Sequence, residues 1–286
     1  MTLLASLVSA APEVHGHRGC RGLRPENTLP AFLHALALGV NVLELDVVIS
    51  ADEQVVVAHE PWLAAHLGPG PDGLPIRPEQ ARAHRLYELP YAAIRQCPVG
   101  ERSLAGFPEQ QPAPTYRPLL AEVFRATETA ARAQGRPPVS YSVEVKSTPA
   151  GDGHWHPAPA RFVALVLAEL RATGVLDRTT LLSFDARILR EARRVCPALR
   201  LCLLAETTVP LARQIQALGF VPDTLGPAFR LLSARRVAEL ASGFPALRLV
   251  PWTVNELSDL RRVLSWGVAG ITTDYPDRLL SLLGRL

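Results

Sequence analysis

Short runs of β-branched and aliphatic residues alternate with longer stretches of helical period along almost the whole chain, and this alternation limits the possible folds most severely. Strands separated by helical crossovers build a parallel sheet covered by helices. The candidate strands are residues 14–19, 42–49, 55–59, 139–147, 180–184, 199–205, 224–229, 249–254 and 270–274. The helical stretches are 29–38, 118–134, 160–172, 186–195, 211–218, 233–241, 256–266 and 276–286, several followed by a glycine suited to a left-handed cap, as at Gly39, Gly135, Gly174, Gly219 and Gly267.

Nine strands are one more than a closed barrel of this type holds. Only residues 50–54 join the second run to the third, and a parallel crossover needs a dozen residues or more, so these two runs form an antiparallel hairpin. A turn centred on Asp52 and Glu53 places Asp46 opposite His59. Eight strands then remain for an α/β fold, a (β/α)8 TIM barrel with a hairpin and an insertion after strand 2. Residues 1–286 read as a single barrel domain, and the insertion, 60–117, holds ten prolines and little periodicity. Because it leaves from His59, at the strand ends where barrels keep their reactive groups, it is expected to wall the site.

With 48% hydrophobic and 20% charged residues over 286 positions, the chain is no disordered segment and can bury a core. A net charge of +3 without any run of like charges gives no nucleic-acid or membrane footprint. No apolar stretch reaches the roughly 18 residues of a membrane-spanning helix. Residues 1–11 look faintly like a signal peptide but lack a basic start, and read as a mature terminus or a remnant. Cys20, Cys97, Cys196 and Cys202 lack CxxC spacing, which argues against a disulfide scaffold and a zinc site. Oligomeric state and compartment have no signature here.

Of the 30 basic residues, Lys146 alone is a lysine. Arginine cannot imitate a compact ammonium point charge, so this exception hints at a position that demands one. The neighbouring strand ends are equally rich. The first candidate strand contains His15-Gly16-His17-Arg18-Gly19, the second carries Glu44 and Asp46, the hairpin arm ends at His59, and the next strand carries Glu144 and Lys146. Period two turns Glu44 with Asp46, and Glu144 with Lys146, into the barrel. Three converging carboxylates repel one another unless a cation is held among them, and all-oxygen ligation suits one hard divalent ion, Mg2+ or Ca2+. His17 and His59 flank this cluster as candidate general base and acid. Arg18 and Lys146 supply fixed positive charge for a phosphate. Together these residues point to phosphodiester chemistry.

The succession His17-Arg18-Gly19, Pro25-Glu26-Asn27-Thr28, Leu43-Glu44-Leu45-Asp46-Val47, Val56-Val57-Ala58-His59, Glu144-Val145-Lys146, Ser183-Phe184-Asp185, Trp252-Thr253-Val254-Asn255 and Thr272-Thr273-Asp274-Tyr275-Pro276 resembles the glycerophosphodiester phosphodiesterase family in order and spacing. The resemblance covers nearly everything except the insertion. It implies a barrel of the phosphatidylinositol phospholipase C type that cleaves glycerophosphodiesters to glycerol 3-phosphate and an alcohol. It implies Glu44, Asp46 and Glu144 as metal ligands, His17 and His59 as the acid/base pair, and Arg18 and Lys146 on the phosphate. Trp252 and Phe184 then line the substrate mouth, although they could equally fill the barrel. The chain has His59-Glu60 where the family commonly has His-Asp, and its hairpin turn lacks Asp-Gly. Pro25 to Thr28 is expected to cap the first helix through Asn27 or Thr28, with Glu26 near the metal, and His154-Trp155-His156 to form a surface loop.

Other readings fare worse. His15-Gly16-His17 also suits a zinc amidohydrolase, but that chemistry needs further histidines on later strands, and none follows His156. A non-enzymatic barrel predicts gaps in the constellation. A different bond cut on the same fold, phospholipase D-like or inositol-phosphate-releasing, stays open.

Overall fold

The structure is a computed structural model and describes residues 11–286; the terminal stretch 1–11, with its faint likeness to a signal peptide, falls almost wholly outside them. Among the described residues, nine strands and nine α-helices follow one another: β1 (Glu13–Gly16), α1 (Leu29–Leu38), β2 (Val42–Ile49), β3 (Val55–Val57), α2 (Tyr91–Gln96), α3 (Leu120–Ala133), β4 (Ser140–Val145), α4 (Pro159–Ala172), β5 (Thr179–Ser183), α5 (Ala186–Val195), β6 (Arg200–Ala205), α6 (Leu211–Leu218), β7 (Thr224–Pro227), α7 (Ala234–Gly243), β8 (Arg248–Leu249), α8 (Leu257–Leu264), β9 (Gly270–Thr273) and α9 (Pro276–Leu282).

The strands lie in the order β8-β7-β6-β5-β4-β2-β1-β9, all parallel, with β3 antiparallel on β2. Backbone bonds from Ala269 N to Leu249 O (2.9 Å), Thr272 N to Pro251 O (3.0 Å) and Val254 N to Thr272 O (3.1 Å) bring β9 round to β8, so the sheet is a TIM barrel. β8 stops at two residues instead of the expected six because Pro251 has no N–H to continue a ladder. Among the described residues no helix is long and apolar enough to cross a membrane.

The hairpin register differs from expectation by one residue. Val47 pairs with Val57, and Ala58, not His59, donates its N–H to Asp46 O at 3.1 Å. The cause is a three-residue loop, 51–53, closed by Ser50 and Gln54 with Glu53 at φ 59, which centres the turn on Asp52 rather than between Asp52 and Glu53. A slip of one residue exchanges faces, so the chain beyond β3, rather than strand period, brings His59 to the mouth.

Alternation along the strands separates two environments. Val14, Leu43, Leu45, Val143, Leu181 and Ile271 face outward and are buried against Phe32, Leu36, Phe124, Phe162, Ile188 and Leu279 of the helices. Each such burial contributes about 1.5–3 kcal/mol. The inward positions are polar instead, including His15, Glu44, Asp46, Ser142, Glu144 and Thr272. Helix α1 shows the local logic: Thr28 accepts the Ala31 N–H at its start, Pro30 lies in its first turn, and Gly39 at φ 108 ends it. The insertion has a small core of its own, with Leu63, Ile76, Leu86 and Ile94 packed on Val48 and Val56. Its one α-helix, α2, is six residues long, too short to display a hydrophobic period.

Candidate active site

The two strands that carry the carboxylates are neighbours in register. Asp46 of β2 pairs with Glu144 of β4, and Glu44 lies two residues below Asp46 on the same inner face. One oxygen from each of Glu44, Asp46 and Glu144 lies within 4.8 Å of the others, and all three residues are buried. Burial pushes the Glu44 carboxyl up, and Asp46 and Glu144 push it further. Burial also raises Glu144, with Asp46 adding to the effect and Lys146 opposing it. Burial acts on Asp46 in the same sense, but Lys146, Arg18 and His59 outweigh it and hold this carboxyl well below the usual range. Asp46 Oδ1 is buried without a hydrogen-bond partner. A hard divalent cation fits this donor set, because it would relieve the mutual repulsion and take up the orphaned oxygen.

Two cations brace the cluster. The Arg18 N–H donates to Glu44 Oε2 (2.8 Å), its Nη1 donates to Glu26 Oε1 (2.7 Å), and its Nε stands 3.3 Å from Asp46 Oδ2. Lys146 Nζ donates to Glu144 Oε1 at 2.7 Å and lies 3.5 Å from Asp46 Oδ1. Arg18 (φ 50) and Asn27 (φ 55) both occupy the left-handed region, an unfavourable backbone state that gathers at functional sites. Thr28 alone caps α1; the Asn27 amide instead donates to Asp46 Oδ2 at 2.8 Å.

Each histidine is held by a carboxylate. His17 Nδ1 is 2.6 Å from Asp274 Oδ1, and its Nε2 lies 4.0 Å from Glu44 Oε2. Burial draws the His17 pKa down while Asp274 works against it. Asp274 also accepts from Arg21 Nε (3.0 Å), Arg21 Nη2 (3.1 Å) and Asn255 Nδ2 (2.7 Å). His59 Nδ1 lies 2.8 Å from Glu60 Oε1, and burial of Glu60 is outweighed by that bond, which holds its carboxyl at about 2. The two imidazoles differ in access, His17 being 11% exposed and His59 31%.

Asp274, Asn27 and Glu60 contact His17, Asp46 and His59, a part the sequence did not assign to them. Asp274 stands in a quoted motif just past the last strand, yet its partner is 257 positions away, so only ring closure brings them together. Phe184 and Trp252 meet edge-on at the mouth, with ring centroids 5.6 Å apart. His156 is buried and both its nitrogens are engaged, one by Thr148 N and one by Pro157 O, so it props a loop. His15 lies lower, beside Glu13 at 3.1 Å. All four cysteines are free and buried. The site opens into a cavity of about 680 Å³, walled on one side by Pro61, Trp62 and Arg82 of the insertion and reaching down to Glu13 and Arg248.

Residues 17–278 match the model of the Glycerophosphoryl diester phosphodiesterase family, a span that takes in every side chain of the site. A glycerophosphodiester phosphodiesterase of Bacillus altitudinis is 26% identical over 274 residues, covering 94% of this chain and 97% of its own length. A crystal structure from Silicibacter pomeroyi DSS-3, assigned to the glycerophosphoryl diester phosphodiesterases, is 35% identical with a TM-score of 0.82, over 96% of this chain and 93% of that one. A phosphodiesterase of Oleispira antarctica, solved with its product sn-glycerol-3-phosphate, shares the fold at 19% identity and a TM-score of 0.75, over 96% and 97% of the two chains.

Proposed function

The chain belongs to the glycerophosphoryl diester phosphodiesterase family, and from that premise we propose that it hydrolyses glycerophosphodiesters to glycerol 3-phosphate and an alcohol. The observation that carries this reading is the convergence of Glu44, Asp46 and Glu144 within 4.8 Å, between two histidines that each lean on a carboxylate.

Glu44, Asp46 and Glu144 would hold one divalent cation, Mg2+ or Ca2+. When bound, that ion supplies Lewis-acid polarisation of the phosphoryl group. Arg18 and Lys146 stand beside the same carboxylates and offset negative charge as it builds on phosphorus. His17 serves as the base: it is buried, and Asp274 at Nδ1 fixes the tautomer that leaves Nε2 free to take a proton. His59 serves as the acid. Glu60 accepts from Nδ1 and so orients the ring, and in the imidazolium form the Nε2–H delivers its proton to the departing alcohol on the more open side of the cavity. Phe184 and Trp252 line the mouth across from the insertion. Barrel and insertion work as one catalytic unit, because both wall the same cavity.

A coupled assay for glycerol 3-phosphate over a panel of glycerophosphodiesters, with the released alcohol followed on lysophospholipids because their cleavage leaves lysophosphatidic acid, run with Mg2+ or Ca2+ and with EDTA, tests reaction, substrate and ion together. Release that EDTA abolishes and that Glu44→Ala removes is the expected result. No release from any diester would overturn the assignment. Cleavage confined to acylated substrates would support the phospholipase D-like cut instead. A single turnover in 18O-labelled water, followed by 31P NMR, distinguishes attack by water from attack by the adjacent glycerol hydroxyl through a cyclic phosphate.

A further inference from the structure

The wall of the cavity next to His59 is aromatic and already carries its own cations. Trp62, three residues beyond His59, meets Trp155, from the loop after Lys146, with ring centroids 5.6 Å apart and planes at 66°. The Arg82 guanidinium carbon stands 5.1 Å from the Trp62 ring centre, and that of Arg85 stands 5.7 Å from Trp155. Backbone bonds from Leu63 N to His84 O (3.0 Å) and Leu86 N to Pro61 O (2.9 Å) tie the two segments together and so set the backbone of both arginines beside the wall, while the Arg82 side chain is itself exposed. Arg85 is paired with Glu88 at 2.5 Å. Arg82 lines the cavity and forms no ion pair among the described residues. On the far arc of the barrel the charge is reversed: Glu206, just past β6, lines the cavity on the same arc as Phe184 and Trp252.

We propose that the leaving alcohol departs along the Trp62–Trp155 wall and that Arg82 selects against a cationic one. Preferred substrates then release a polyol, such as glycerol or inositol, or an alcohol bearing a further phosphate, rather than choline or ethanolamine. This rests on the reading of His59 as the acid, since the alcohol that receives its proton must lie on His59's side of the cavity. An indole face is the usual seat for a quaternary ammonium group. Here both indoles already hold a guanidinium, so an incoming cation must displace Arg82 or sit beside a like charge. A hydroxyl-rich alcohol meets the opposite situation, because Arg82 offers it N–H donors in a fixed fork, and a phosphate can be gripped bidentately.

The test is kcat/KM for glycerophosphocholine, glycerophosphoethanolamine, glycerophosphoinositol and glycerophosphoglycerol, compared in the wild type, R82E, R82Q and E206Q. The wild type should favour the inositol and glycerol diesters over the choline diester. In R82E the choline-to-inositol ratio should rise roughly two- to fivefold, chiefly through KM, the scale of one cation–π interaction at an exposed residue such as Arg82. R82Q should move it less and in the same direction, and serves if R82E fails to fold by circular dichroism. A wild type that prefers choline, or a ratio that follows E206Q while ignoring both Arg82 variants, would overturn the proposal by placing the alcohol on the opposite rim. If the wild type cleaves no diester at all, it is the phosphodiesterase reading that fails, and the two failures are distinct.

Discussion

Asp274→Asn probes the part of the site that chain order conceals. The Asp274 carboxylate accepts four hydrogen bonds, from His17 Nδ1 (2.6 Å), Arg21 Nε (3.0 Å), Arg21 Nη2 (3.1 Å) and Asn255 Nδ2 (2.7 Å). An asparagine has one acceptor oxygen, so it cannot serve both sides. If that oxygen keeps Arg21 and Asn255, the new amide N–H faces His17 Nδ1 and drives the ring proton onto Nε2, the atom that must be free to act as base. Loss of one charge-assisted bond to a ring that becomes positive during the reaction costs about 1.5–3 kcal/mol, or roughly 10- to 150-fold in kcat. The wrong tautomer multiplies that loss, and the same exchange in the Ser-His-Asp triad reaches about 10⁴. The assay is glycerol 3-phosphate release under saturating diester, with KM measured alongside and 15N chemical shifts of His17 reporting the tautomer. A kcat within threefold of wild type, with the proton still on Nδ1, would refute the reasoning.

Replacing Lys146 with arginine keeps the charge but puts a planar, wider group where Nζ reaches two carboxylates at 2.7 and 3.5 Å, and kcat/KM should fall roughly tenfold or more; a fully active variant would mean that the single lysine is incidental. Alanine at His17 or at His59 should cost on the order of 10²-fold or more in kcat, and near-normal turnover in either would break the proposed pairing. Glu60 is held at about 2 against an ordinary 4.5, so its ionised form favours the folded state. That stabilisation is complete above about 4.5 and disappears as the pH falls towards 2. Urea melts should therefore show Glu60→Gln less stable than wild type by up to about 3 kcal/mol at pH 7 and by much less at pH 3. A difference that does not shrink with acid would contradict the assigned ion pair.

Much of this was legible in the chain because the signals are local. Alternation of period two and 3.6 gave eight barrel strands and their helices, and the five-residue link forced the hairpin. Period two along β2 and β4 also turned Glu44, Asp46 and Glu144 to one interior, since side-chain direction within a strand is a property of the strand alone. Where the reading failed, the deciding contact was non-local or rested on backbone detail. The left-handed Glu53 shifted the hairpin by one residue; the helix cap, by contrast, fell to Thr28, one of its two candidates, which left Asn27 to hold Asp46.

The residues at the strand ends and the divalent-ion chemistry their types allow are written in the sequence itself. Which acid orients which imidazole is not, because His17 meets Asp274 only once β1 and β9 lie side by side in the closed barrel, and no spacing rule spans that distance. The walls of the cavity are likewise a tertiary product: Arg82 meets Trp62 within the insertion, and only the packing of the insertion against the barrel brings that pair to Trp155 beside His59.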